Sequence, residues 1–406
     1  MLNIAIIGGG AAGFFAAITA KQHAPEAHIV IFEKSSRVLT KVEMTGGGRC
    51  NLTNSFARIT DLKQAYPRGD KLMKRLFNAF SNHDTCRWFE SRGVALTVQP
   101  DECVFPQSQS SQTIVDCLTR EARRLGIEIS TAYVLESIRP MHDGYLELHF
   151  KNRPTQIFNR VAIATGGSPR IESLQYLADI GHCIEQPVPS LFTFNIPDAR
   201  LRALMGTVAD PVYLSVPATK LRSEGALLMT HWGISGPATL KLSSYAARYI
   251  AERAYRFRVA VNWVHETYNA SVERQLTNII DQNRQKQLNS IRPYHLSNRH
   301  WTYLIDRMAM PADKKWSELG RKGLNKMVET LTNDIYDVSG KGVWKDEFVT
   351  CGGISLADIH LNTLASKRCP NLFFAGEVLD IDAITGGFNL QAAWTTGYIV
   401  GQHISK

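Results

Sequence analysis

Asn3-Ile4-Ala5-Ile6-Ile7-Gly8-Gly9-Gly10-Ala11-Ala12-Gly13 reads as a short apolar strand that turns through glycines into a helix predicted over Ala11–His23. Gly8, Gly10 and Gly13 spell G-x-G-x-x-G. A second strand, His28 to Phe32, ends at Glu33, 20 residues past Gly13. Each part has a physical task. The first glycine makes the tight turn, the second admits backbone to a pyrophosphate, and the third lets helix and strand pack closely. The helix N-terminus offers unpaired N–H groups and the positive end of a dipole to the anion. Glu33 stands where a carboxylate accepts from a ribose hydroxyl. Strand, turn, helix and acid in this order predict a dinucleotide-binding unit. A signal peptide or membrane anchor does not fit, because the first basic residue is Lys21 and glycines interrupt the apolar run.

The next informative stretch is Thr45-Gly46-Gly47-Gly48-Arg49-Cys50-Asn51-Leu52-Thr53-Asn54. Three glycines in a row serve neither packing nor helix stability; they permit positive φ and close approach of backbone to a flat or charged ligand. Arg49 adds a fork of donors suited to phosphate or to a polar ring edge. Further on, Val161-Ala162-Ile163-Ala164-Thr165-Gly166-Gly167 reads as a buried strand ending in a glycine turn that returns backbone beneath a bound dinucleotide. Near the C-terminus, Ala375-Gly376-Glu377 and Gly386-Gly387-Phe388-Asn389-Leu390 flank a final helix predicted over Asn389–His403. Glycines before a helix N-terminus again make a site from backbone N–H groups.

Between these blocks the pattern changes. Helices are predicted near 70–91 and 111–125, with strands at Ile127–Ser130 and Tyr145–Phe150 and an extended piece beginning at Val134. From about Leu191, prolines punctuate short strands (Val212–Val216, Tyr255–Val261), and helices follow near 271–283 and 321–333. The α/β pattern resumes at Phe348. The economical reading is an α/β chain with one Rossmann-like domain built from both ends, 1–190 plus 348–406, and an inserted domain at 191–347. Residues 192–347 carry 22 Lys/Arg against 15 Asp/Glu, a net +7 of the chain's +9. Clusters such as Arg253/Arg256/Arg258 are positioned by sequence to attract an anionic substrate, RNA among them. A solvated basic surface is the competing reading.

Seven cysteines form no C-x-x-C and no metal-ligand spacing, so they read as reduced thiols of a cytoplasmic protein, and no metal site is expected. The sequence shows no membrane span, and oligomeric state stays open.

These blocks resemble the BaiN/YhiN-like flavoproteins, within the wider two-dinucleotide-binding superfamily. The resemblance rests on Gly8–Gly13 with Glu33, on Lys41 followed by TGGGRCNLTN, and on Ala164-Thr165-Gly166-Gly167. It continues through Thr230-His231-Trp232-Gly233-Ile234-Ser235-Gly236-Pro237 and Val349-Thr350-Cys351-Gly352-Gly353, and closes on AGEVLDIDAITGGFNLQAAWTTG. It implies FAD as cofactor and an insert made of a bent β-barrel with a helical part. Carried over by motif, Gly8, Gly10, Ala11, Ala12 and Gly13 hold the pyrophosphate, Glu33 and Lys34 lie at the adenosine, and Val134 touches adenine through its backbone. Lys41, Gly47, Gly48, Arg49, Cys50 and Asn51 adjoin the isoalloxazine or its phosphate, beside Ala164, Thr165 and Gly166. Gly376, Glu377, Gly387, Phe388, Asn389 and Leu390 close around the ribityl chain and ring. Two places depart from the family. Leu39-Thr40-Lys41 stands where Gly-Arg-Lys is usual, and Ser168-Pro169-Arg170-Ile171-Glu172 replaces a longer loop rich in glycine, serine and threonine.

The implied activity is an FAD-dependent oxidoreductase that reduces a polarised C=C bond. With no second G-x-G-x-x-G, NAD(P)H is expected only as a transient donor at the flavin face. Steroid-like molecules and uridine in ribosomal RNA are the substrate classes the resemblance allows. An oxidase acting on a small amine, and a flavin-binding regulatory protein that contacts RNA, remain alternatives. For the proton donor the sequence offers Cys50, whose place beside Arg49 suggests a lowered pKa, together with His231 and Asp380.

Overall fold

The computed structural model describes residues 1–168, 170–342 and 349–406. Pro169 and Phe348, on which two of the expectations above fall, lie outside that set. The chain divides into two compact units, Met1–Pro189 with Val349–Lys406, and Ser190–Phe348.

The first unit is built on a five-stranded sheet in the order Leu372–Phe374, Arg160–Ile163, Asn3–Ile7, His28–Glu33, Glu128–Thr131, every neighbour parallel. Parallel sheets are covered on both faces, so their strands read as continuous apolar runs. That explains why Ile4, Ala5 and Ile6 at the centre are wholly buried. The Ala11–His23 helix is buried over its first ten residues and apolar all round, as a helix inside a layer must be. It packs on the Phe388–Ile404 helix at very short range. A side chain at Gly397 would come within 2.6 Å of the Ala12 carbonyl, and one at Gly401 within 2.5 Å of Thr19.

The single helix expected near 70–91 is two helices, Asp70–Leu76 and Asn82–Glu90. Ser81 starts the second with a capping box. Its backbone N–H donates to Asp84 Oδ2 at 2.8 Å while its hydroxyl faces the Asp84 amide. Leu135–Pro140, Leu146–Phe150 and Gln156–Phe158 form a small antiparallel sheet.

The second unit carries a seven-stranded antiparallel sheet in the order Asp334–Val338, Phe257–Asn262, Val208–Ser215, Arg222–Met229, Gly233–Ser235, Phe194–Asn195, Gly340–Lys341. Its two edge strands, ending at Val338 and starting at Gly340, are joined by Ser339 alone. A sheet whose opposite edges are one residue apart along the chain has to curl on itself, which gives the insert its barrel character. The strand expected from Tyr255 begins at Phe257 instead, because Ala254 and Tyr255 lie in the left-handed region at φ 48 and 61. Pro211 is tolerated where the Val208–Ser215 pairing slips between Ala209 and Val212. Helices Asn269–Gln282, Asn298–Arg307 and Gly320–Thr332 make the helical part. The buried rings of Trp301 and Trp316 stack there at 6.3 Å.

Candidate functional site

The dinucleotide fingerprint builds one wall of a cradle in the first unit. Gly8 turns the chain at φ 117, and any side chain on it would collide with Ala164 and Thr165. Gly13 abuts the Gly8 carbonyl so tightly that a Cβ would sit 1.9 Å from it. At Gly10 a side chain would meet nothing within 4 Å, so the start of the helix carrying Ala11 and Ala12 faces open space. Neither this helix nor Phe388–Ile404 has an acid in its first turn, leaving both N-terminal ends uncompensated. Glu33 accepts from the Gly9 N–H at 2.8 Å and from the Ser35 N–H and hydroxyl at 2.9 and 2.6 Å. Two carboxylate oxygens offer about four acceptor sites, so one remains for a ribose hydroxyl. Tyr133 donates its N–H to the Glu33 carbonyl at 2.9 Å, which puts neighbouring Val134 next to this acid; Val134's own carbonyl accepts from Lys151. Lys34 is exposed.

The glycine run forms the second wall. Helical geometry in the segment Thr40–Gly48 breaks at Thr45, and Gly46, Gly47 and Gly48 all have positive φ of 60, 69 and 82. Gly46 is pressed against Phe105 and the Asn51 amide, whereas side chains at Gly47 and Gly48 would touch nothing. Bare, exposed backbone at those two positions is what a flat ligand needs for close approach. Arg49 lies with its guanidinium over the Phe105 ring at 4.5 Å and donates to the Gly46 carbonyl at 3.1 Å.

The residues after the run are stitched to the C-terminal block. Asn51, with its amide oriented to satisfy both partners, accepts from the Gly387 N–H at 3.2 Å and donates to the Thr53 carbonyl at 3.0 Å. Asn54 donates to the Gly386 carbonyl at 3.0 Å, Thr53 to Gln391 at 2.6 Å, and Trp394 to the Leu52 carbonyl at 2.9 Å. Gly387 admits no side chain, since the Thr53 carbonyl would lie 2.3 Å from its Cβ. Two stretches more than 330 residues apart therefore form one surface, with the first amides of the Phe388–Ile404 helix beside the glycine run. Those amides have no intrahelical acceptor. Phe388 itself is buried, with its ring against Phe56 and its carbonyl taking the Tyr66 hydroxyl at 2.9 Å. The Asn389 side chain is spent on the Ala383 N–H and carbonyl, both at 2.9 Å. What Phe388, Asn389 and Leu390 present is backbone.

Lys41 and Glu377 close the cradle with an ion pair at 3.3 Å. Glu377 also accepts the Thr350 N–H at 2.8 Å; a side chain at Gly167 would come within 2.5 Å of the Glu377 carboxylate, whereas one at Gly166 would meet the pair only at ordinary contact distance. Thr165 hydrogen-bonds the buried Tyr176 hydroxyl, whose pKa burial pushes up. Gly376 lies at φ 76 against Ala12, its N–H held by Thr396 at 2.8 Å.

The proton-donor candidates fare differently. Cys50 is fully buried, and desolvation pushes its pKa up to about 12 despite a hydrogen bond with Thr45. This corrects the lowered pKa expected from its place beside Arg49: the cation lies over Phe105 and the thiol points into the core. Asp380 is half-buried. Its neighbour Asp382, wholly buried, accepts from Nε and one Nη of Arg68, a partner that sequence reading missed because the two are 314 residues apart. Burial works against the Arg68 charge, but the Asp382 hydrogen bond and charge outweigh it and raise its pKa. His231 belongs to the second unit, exposed on the tight turn between Arg222–Met229 and Gly233–Ser235 with its ring edge-on to Trp232 at 4.4 Å.

Comparison with known proteins follows the same lines. The family model described as HI0933-like protein Rossmann domain matches residues 2–403. The 3-dehydro-bile acid delta(4,6)-reductase of Clostridium scindens is 26% identical over 416 residues, covering 99% of this chain and 98% of that protein. The ribosomal RNA dihydrouridine synthase of Escherichia coli is also 26% identical, over 98% of this chain and 97% of its own. Among solved structures, a 3-ketosteroid-delta4-(5alpha)-dehydrogenase from Rhodococcus jostii superposes with a TM-score of 0.54 at 13% identity, covering 100% of this chain and 97% of that one. That likeness concerns the fold.

Proposed function

Because this chain belongs to the HI0933-like Rossmann-domain family, the BaiN/YhiN-like flavoproteins, we propose that it is an FAD-dependent oxidoreductase reducing a C=C bond conjugated to a carbonyl. The observation that carries the reading is the hydrogen-bonded union of Asn51–Asn54 with Gly386–Gln391. It supports a site that combines the bare backbone of Gly47 and Gly48 with a helix N-terminus, in the unit whose other helix start bears the dinucleotide fingerprint. The residues fit an FAD: open glycines for the flat ring, two uncompensated helix ends for its anionic parts, and an acid with a spare acceptor for the ribose. When bound, the isoalloxazine supplies hydride chemistry, with NAD(P)H as the transient donor.

The chain's own groups do the rest. The first amides of Phe388–Ile404 favour negative charge at the ring's polar edge. Lys41, tied to Glu377, orients the ribityl side, and Arg49 offers a second cation at the rim. Asp380, in the unit that carries the cradle, is the side chain proposed to deliver a proton to the carbon alpha to the carbonyl. The names of the relatives share one chemistry. A delta(4,6) dienone and the uracil ring both hold a C=C polarised by a conjugated carbonyl, and saturation of that bond is what "reductase" and "dihydrouridine" describe. A steroid-like enone is the leading substrate, and the +7 insert keeps uridine in RNA as the second reading.

Anaerobic mixing with NADH or NADPH tests the proposal. Flavin absorbance bleaches and returns on addition of an enone steroid or a uridine-containing RNA, with product saturated at one C=C. Bleaching by neither nicotinamide, or recovery only with oxygen, would overturn it.

A further inference from the structure

The second unit contains a cavity of about 580 Å³ that the flavin reading does not use, and we infer that it is a binding site for a phosphate-bearing ligand. It opens where the end of Val208–Ser215, the start of Phe257–Asn262 and the end of Asp334–Val338 converge. Its lining includes Val216, Arg253, Arg256, Arg258, Asp337 and Ser339, three guanidiniums against one carboxylate. The convergence is built by the backbone. Ala254 and Tyr255 both take left-handed φ, 48 and 61, which folds the chain so sharply that the Arg256 N–H reaches the Arg253 carbonyl at 3.0 Å. Two such residues in succession, neither of them glycine, adopt a conformation that their Cβ atoms disfavour. The outcome of that conformation is that Arg253 and Arg256 share one mouth with Arg258.

The three arginines are not equivalent. Arg253 lies over the Tyr249 ring at 3.6 Å, donates to the Tyr249 carbonyl at 3.0 Å and pairs with Glu252 at 3.6 Å, so it is already positioned. Arg256 and Arg258 are exposed and make no ion pair among the described residues; Asp337 faces Arg258 across the strands without closing one. Uncompensated guanidiniums held together repel one another, and planar forks of this kind match phosphate oxygens in pairs. A volume within the roughly 300–1,000 Å³ of ordinary ligand sites admits more than a bare ion. The shared chemistry is a phosphate carried on a larger body, either a free phosphorylated metabolite or one phosphodiester of a nucleic-acid strand. The inference stands on this cavity and is independent of the flavin cradle.

The test uses the full flavin-loaded protein and two probes, inorganic pyrophosphate and a short fluorescein-labelled oligouridylate. Calorimetry and fluorescence anisotropy are read at rising salt for the parent, Arg256→Ala/Arg258→Ala, and the charge-preserving Arg256→Lys/Arg258→Lys. The alanine pair is expected to weaken binding by about tenfold and to lower the salt slope of oligouridylate binding by roughly 0.7, because the contact with one phosphodiester is lost. The lysine pair is expected to fall in between. Oligouridylate binding that pyrophosphate displaces poorly identifies a strand; pyrophosphate binding without oligouridylate binding identifies a free metabolite. No binding of either probe, or binding that the alanine pair leaves unchanged, overturns the site. Flavin bleaching by NAD(P)H stays as in the parent in these variants and reports separately on the reductase reading.

Discussion

Leu39 shows how one side chain decides a local conformation against its own preference. It sits at φ 59 and ψ 18, is almost completely buried, and donates its N–H to the Gly9 carbonyl at 2.8 Å. The family resemblance places glycine here. A left-handed leucine costs roughly 1–2 kcal/mol, while burying its side chain contributes about 1.5–3 kcal/mol, so burial narrowly wins. Leu39→Ala keeps the strain and loses the burial; Leu39→Gly loses both. The glycine variant is therefore expected to be the more stable of the two by about 1 kcal/mol, the reverse of the usual order, as read by urea denaturation. Residues such as these mark what sequence conveys. Gly8, Gly10, Gly13 and Glu33 were legible because their whole meaning lies within one strand, turn and helix. Cys50 misled because its neighbour in the chain is Arg49, whereas its pKa is set by burial that only distant segments supply. Arg68 and Asp382 looked like loop charges for the same reason.

At the level of elements, the contact between Ala11–His23 and Phe388–Ile404 ties the fold to the site. Each of these helices lends its N-terminus to the cradle, and Gly397 and Gly401 let them approach backbone to backbone. Gly397→Leu would drive a side chain into the Ala12 carbonyl and spread the helices just where Ala12 lies behind Gly376. Overpacking of this kind costs about 1–3 kcal/mol or more. The expected result is a lower Tm together with a lower ratio of flavin to protein absorbance after purification, whereas Gly93→Ala, at a turn with open space around it, keeps its flavin. The helix expected near 70–91 was legible in extent but not in its break, since the Ser81–Asp84 capping box competes locally with an otherwise continuous pattern.

Over the whole molecule, the two units respond to acid through different groups. In the second unit His300 is buried and its Nε2 has no hydrogen-bond partner. Desolvation holds its pKa down at about 4. An unfolded histidine takes up its proton near pH 6.5, so below that pH protonation favours the unfolded chain, and stability is lost as pH falls from about 6.5 to about 4. The full difference is about 3 kcal/mol. His300→Leu should flatten this part of the pH profile in urea denaturation; an unchanged slope would remove His300 as its source. In the first unit Asp358 acts lower. Burial opposes its charge, but the Cys183 N–H at 2.7 Å and Arg368 at 2.8 Å hold its pKa below the usual carboxylate value. Its contribution is present above an ordinary carboxylate pKa of about 3.9 and disappears only as pH falls through the lower folded value.

The stitch between Asn51–Asn54 and Gly386–Gln391 also dictates when a cofactor can be kept. A ribosome delivers the chain from its N-terminus, and the strands at 3–7, 28–33, 128–131 and 160–163 emerge long before the edge strand at 372–374 and the helix that completes the wall. A nascent chain can pair four strands and present the glycines at 8–13 and 46–48, yet the surface that joins Asn51–Asn54 to Gly386–Gln391 waits until residues 386–404 are out. A ligand held by both stretches is therefore kept only once the Phe388–Ile404 helix has been made, and a chain released before that helix carries one stretch without the other.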